Sequence, residues 1–97
     1  LHSGDFQRES IRIEINDLKF DLDERDSNPD RKNEVQRALL ERFAATARSF
    51  ESSFVGMDRK HERIRVQFDA RPGVQLEDIH GWLNANGFVG FDIYAVS

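Results

Sequence analysis

The sequence predicts an α+β fold: a two-layer sandwich with a mainly antiparallel sheet and two helices on one face, in the order ββαββαβ. Three observations lead there. Apolar and polar residues alternate through Ile11–Ile15, Leu18–Leu22, Ile64–Phe68 and Phe91–Ala95, the period of half-buried strands. Val35, Leu39 and Phe43 recur at i+4 steps, and Leu76, Ile79 and Leu83 share one helical face. The 97 residues suffice for a single core, and eight Phe, one Trp and one Tyr supply its large side chains.

Residues 1–8 read as a disordered polar lead-in, and residues 9–97 as the single domain. Ile11, Ile13 and Ile15 lie in one phase, and Leu18, Phe20 and Leu22 in the opposite one. One strand needs a bulge at Asn16–Asp17 to absorb the slip. A two-residue hairpin turn there absorbs it as well, since both residue types tolerate positive φ. The hairpin is favoured because one register pairs Ile15 with Leu18, Ile13 with Phe20 and Ile11 with Leu22. It also sets Glu14 against Lys19 and Arg12 against Asp21 on the other face.

An acidic connection over residues 23–28 leads to Asn28-Pro29, a cap and first-turn proline that open a helix running to near Arg48. Ala47 closes its apolar stripe. A second hairpin follows, with Val55 opposite Val66, Met57 opposite Ile64 and Asp58 facing Arg63 across the loop Arg59–Glu62. Arg71-Pro72-Gly73 ends that strand. The second helix fits Leu76 to Ala85, with Leu76, Ile79, His80 and Leu83 inward, and Asn86-Gly87 stops it. Val89–Val96 is the last strand. Apolar residues on both of its faces, Phe91 and Ile93 against Tyr94 and Val96, place it inside the sheet.

From Phe20 onward, strand, helix, strand, strand, helix, strand is similar to the ferredoxin-like fold, including ACT-type regulatory domains. The stretch Ile64-Arg65-Val66-Gln67-Phe68-Asp69-Ala70, with Leu76-Glu77-Asp78-Ile79 and Asn86-Gly87-Phe88, resembles the second half of ferredoxin-like metal carriers. Their cysteine pair is absent, because the chain has no cysteine. The Leu22–Asn28 connection lacks the glycine of ACT-type ligand sites. A leading hairpin followed by a helix also resembles the β-grasp, the alternative fold. The resemblance implies a regulatory or interaction role.

Charge and motifs narrow the function. The net charge of −4 disfavours nucleic acid as a partner, and no apolar run has the length of a membrane span. An RNA-binding module is a further alternative, although such a platform stacks bases on aromatic residues and Arg63 and Arg65 occupy those positions. An EF-hand register starting at Asp26 fails at Arg31 and Arg37, where the glycine and the bidentate glutamate belong. Asp21 and Asp23 are the weak metal candidates, the carboxylates of an alternative metal-dependent nuclease or hydrolase. No serine nucleophile motif or phosphate-cradling loop occurs.

The expectation is therefore a protein-interaction or regulatory domain of a longer chain, without catalytic residues or cofactors, in the cytoplasm, binding a protein partner or itself. Arg63 and Arg65, offered to an acidic partner, and His80 and Trp82 are the interface candidates. Trp82 lies off the inner stripe, either as a lid over the sheet or as an exposed anchor.

Overall fold

The computed structural model describes residues 11–21, 30–54 and 61–96. The lead-in, Leu22, Asp23, the Asn28-Pro29 helix opening, Val55, Met57 and Asp58 lie outside them. The elements are β1 (Arg12–Asp21), α1 (Arg31–Phe43), β2 (Ala44–Phe54), β3 (His61–Ala70), α2 (Leu76–Ala85) and β4 (Asp92–Val96). The four strands form one antiparallel sheet in the order β2-β3-β1-β4.

The expected first hairpin is a single strand. Across β1, Ile13 faces Phe68, Ile15 faces Val66, and after a register slip Leu18 faces Ile64. The slip is the bulge at Asn16–Asp17, where Asp17 takes φ 63°. A type I′ turn needs positive φ at both central residues, and among the described residues only Asp17 and glycines have it. Both arrangements keep Ile13, Ile15, Leu18 and Phe20 on one face. The bulged strand additionally gives the ten-residue β3 a partner along its length. The leading pair of strands that favoured a β-grasp is therefore absent, and the order is βαββαβ. Arg12 faces Asp69, and Asp21 faces His61, in place of the expected Arg12–Asp21 pair.

The left-handed conformation at Asp17 yields a direct prediction. Asp17→Val should cost about 1–2 kcal/mol, because a β-branched side chain is poorly tolerated at positive φ. Asp17→Gly should leave stability unchanged or raise it. Urea unfolding of the two variants checks this.

Helix α1 places Val35, Leu39 and Phe43 in the core, as its periodicity predicts, but ends five residues before Arg48. Ala47 belongs to β2 and faces Phe68. The helix end is held from the β3–α2 connection. Arg71 donates its backbone N–H to Phe43 O at 2.8 Å, and its guanidinium reaches Ala44 O at 3.0 Å and Glu41 O at 2.7 Å. Those bonds satisfy terminal carbonyls that a longer helix would use internally.

The β2–β3 register also differs from expectation. Phe50 faces Val66, Ser52 faces Ile64 and Ser53 faces Arg63. The earlier end of α1 releases Ala44–Phe54 for pairing, so the pairing is drawn from upstream of Val55.

Helix α2 has the expected bounds. Gln75 and Asp78 form a reciprocal capping box, and Gly87 at φ 93° follows its C-cap Asn86. Ile79 and Leu83 are buried, whereas Leu76 and His80 are exposed, so the buried stripe is narrower than expected. Strand β4 pairs with β1 and lies at the sheet edge, a correction to the interior position. Its apolar residues on two faces have separate causes: Ile93 packs against the core, and Tyr94 joins a polar network.

The core is one cluster. It joins Ile13, Ile15, Leu18 and Phe20 of β1 to Ile64, Val66 and Phe68 of β3, together with the buried side chains of both helices, Phe88 and Phe91. Phe20 and Phe88 meet edge-on, with ring centroids 5.2 Å apart. No helix among the described residues is long and apolar enough to cross a membrane.

Candidate functional site

Period-two alternation turns the other residues of β1 and β3 away from this core. Arg12, Glu14 and Lys19 alternate with the core residues of β1, and Arg63, Arg65, Gln67 and Asp69 with those of β3. Glu14 sits at the centre of a row that crosses the sheet. Its register neighbours are Gln67 on β3 and Tyr94 on β4.

Glu14 is only 8% exposed, so its carboxylate needs partners. Gln67 Nε2 donates to Oε1 at 2.5 Å, and Asn16 Nδ2 donates to Oε2 at 2.8 Å. The Tyr94 hydroxyl donates to Oε2 as well, and it accepts from Asn16 Nδ2 at 2.9 Å. Asn16, two residues along β1 from Glu14 and opposite Asp92, shares the face of Glu14 and reaches the row from its neighbouring position.

These bonds set the proton affinities. Hydrogen bonding from Tyr94, then from Asn16 and Gln67, holds the Glu14 carboxyl below the usual carboxylate range, against the opposing effect of burial. The bond to Glu14, reinforced by burial, holds the Tyr94 phenol above its ordinary value. Both shifts lead away from neutrality. A general acid or base works best with a pKa near the operating pH, and both groups are moved away from that range.

Two ion pairs flank the row. Arg48 Nε bonds both carboxylate oxygens of Asp69 at 2.9 Å, which holds the Asp69 carboxyl below its usual range. Arg65 bonds Glu51 Oε1 from Nε at 3.1 Å and from Nη2 at 2.5 Å, and this bonding raises the guanidinium pKa further. Arg63 lies 3.7 Å from Asp17. Asp17, Glu51, Arg63 and Arg65 border a shallow recess of about 380 Å³, into which Asn16, Ser52 and Ser53 also open.

The four interface candidates do not meet. Arg63 and Arg65 share the polar side of β3, half-exposed and paired with carboxylates. His80 and Trp82 lie on α2. His80 is exposed, with Nδ1 3.0 Å from Asn84 Nδ2 and its ring 4.9 Å from Phe91. Trp82 is half-buried and meets Phe43 edge-on at 6.1 Å, beside a groove of about 620 Å³ that reaches Val74. That contact sets the ring against the last residue of α1. Trp82→Ala should lower stability by about 1.5 kcal/mol, part of the cost of losing a buried aromatic. Any association constant should stay unchanged; thermal melts and light scattering on this variant check both.

Asp21, half-buried, is the one member of the candidate metal pair within the described residues. Among those residues, no group of three or more His, Cys, Asp or Glu is placed to hold a metal ion.

Sequence reasoning missed Asn16, Gln67 and Tyr94 as partners of Glu14, and also Glu62. It placed Glu62 in a loop, whereas in β3 Glu62 is 4% exposed and accepts from Lys32 Nζ at 2.9 Å. The available signal was parity, because Glu62 shares the phase of Ile64, Val66 and Phe68. No family model matches the chain, and comparison with curated proteins and solved structures finds no match either.

Proposed function

We propose that this chain is a non-enzymatic protein-interaction domain of the regulatory kind, built on a ferredoxin-like scaffold. Both helices cover one face of the sheet, and the other face meets a protein partner. The order βαββαβ with strands β4-β1-β3-β2 supports the scaffold. The observation that carries the function is the Glu14 row. A carboxylate on the central strand β1 and a phenol on the edge strand β4 hold each other with proton affinities moved away from neutrality. Such a face offers fixed shape and charge. Arg63 and Arg65 beside the recess suit an acidic segment of the partner, whose carboxylates would exchange with Asp17 and Glu51.

Calorimetric titration with magnesium and calcium, beside cleavage assays on single-stranded RNA and DNA, tests the non-enzymatic reading. The expected result is no carboxylate-dependent heat and no cleavage. Metal binding and cleavage that vanish in Asp21→Ala/Asp23→Ala, with the circular dichroism spectrum preserved, would overturn it in favour of a metal-dependent nuclease.

A further inference from the structure

Among the described residues, the strand order leaves β2 and β4 at the two edges of the sheet. They differ in how well they are protected. β4 has five residues, and short edge strands resist foreign pairing. β2 has eleven residues without proline, lysine or glycine. Its register irregularities fall before Ser49, between Ala44 and Thr46 and between Ala47 and Ser49. From Ser49 to Phe54 the pairing with β3 is regular, so the outward backbone groups there form an even row. A long, even edge of this kind is a template for an added strand.

The charges along β2 indicate which strand fits. Arg48 precedes Glu51, and their intrachain partners Asp69 and Arg65 occupy alternate positions on the polar side of β3. Antiparallel pairing of two identical strands lays the start of one beside the end of the other, so Arg48 approaches Glu51 of the second copy. Parallel pairing would oppose like charges. Opposed residues must also face the same side of the sheet, so the two-fold axis passes through a residue. An axis at Glu51 would oppose two glutamates, which is destabilising. An axis at Phe50 sets Ser49 opposite Glu51 within the regular stretch of both copies, and Arg48, turned to the polar side at the register irregularity, lies next to that pair.

We infer that the chain forms a two-fold dimer by antiparallel β2–β2 pairing centred on Phe50. The sheet then continues through both copies. Asp69, Arg48, and Glu51 and Arg65 of the second copy form a charge ladder of alternating sign, repeated by symmetry. The intrachain pairs engage Nε of Arg48 and Oε1 of Glu51, and each side chain has further hydrogen-bonding atoms for a second partner. The contact is isologous and closes at two copies, whereas β2 against β4 would continue into a fibre. This inference rests on the interaction reading and names the partner as a second copy.

Sedimentation of the full chain from micromolar to millimolar concentration, with hydrogen exchange followed at each amide, tests it. The expected result is a dimer weakened by salt, with protection of the outward amides of the Ser49–Glu51 stretch rising with concentration and the β4 amides unchanged. Glu51→Lys should weaken association by roughly tenfold or more, from the loss of one ladder pair in each half. Because the chain has no cysteine, oxidising a mixture of Ser49→Cys and Glu51→Cys chains should give a mixed disulfide, which reports the register directly. A monomer at millimolar concentration and low salt, a dimer whose β2 amides stay unprotected, or protection only on adding an unrelated extended peptide would each overturn the pairing. None of these outcomes bears on the metal and cleavage assays, so the two readings fail separately.

Discussion

Phe68→Ala is expected to destabilise the fold by about 4 kcal/mol. Phe68 is fully buried at the centre of the sheet, where β3 pairs with β1 on one side and β2 on the other. Its neighbours in register are Ile13 and Ala47. Removing the ring loses its transfer free energy and leaves a cavity that paired strands cannot collapse to fill. Domains of this size have roughly 5–15 kcal/mol in total, so the variant should show a much lower urea midpoint or be partly unfolded in buffer.

Lys32→Ala should also be costly, at about 2–3 kcal/mol, although lysine is an ordinary surface residue. Its ammonium bonds the Glu62 carboxylate, which lies on the core parity of β3 opposite Phe20. Removing one partner of a buried ion pair strands the other charge, at roughly 3–5 kcal/mol. The Lys32 side chain is 31% exposed, so water relieves part of this. Lys32→Ala/Glu62→Leu should recover most of the loss, because the stranded carboxylate is then gone. Denaturant unfolding of the single and double variants measures the coupling. Equal stability in the single variant and the parent would mean that Glu62 is solvated.

The sequence reveals the core more readily than the pairing. Ile13, Ile15, Leu18, Phe20, Ile64, Val66 and Phe68 are legible as core from alternation alone, and they are buried. Asn16–Asp17 is legible as the place where the phase slips. Whether the chain reverses there or bulges depends on β3, forty residues later, and local pattern holds no such information. The end of α1 was hidden for a related reason. Ala44, Ala45 and Ala47 favour helix locally, but Arg71 and the pairing with β3 draw them into a strand. The Glu14 row required both registers at once, because Gln67 comes from β3 and Tyr94 from β4. With Glu14 assigned to Lys19, no residue type or spacing could have indicated Tyr94.

The polar face also sets a pH dependence. The Glu14 and Asp69 pKa values are lowered in the fold. Their contribution is therefore complete above the ordinary carboxylate range and is lost as pH falls through the lowered values. Tyr94 is raised, so its contribution is complete below the ordinary phenol value and is lost as pH rises through the folded one. Between these limits the row keeps one protonation state, as the proposed recognition face would need. Carbon-13 NMR titration of the Glu14 carboxyl and the Tyr94 phenol tests this most directly. The expected result is a Glu14 midpoint below that of ordinary glutamates and a Tyr94 midpoint above that of ordinary tyrosines. A midpoint for either group between about pH 6 and 8, the range suited to general acid–base work, would contradict it.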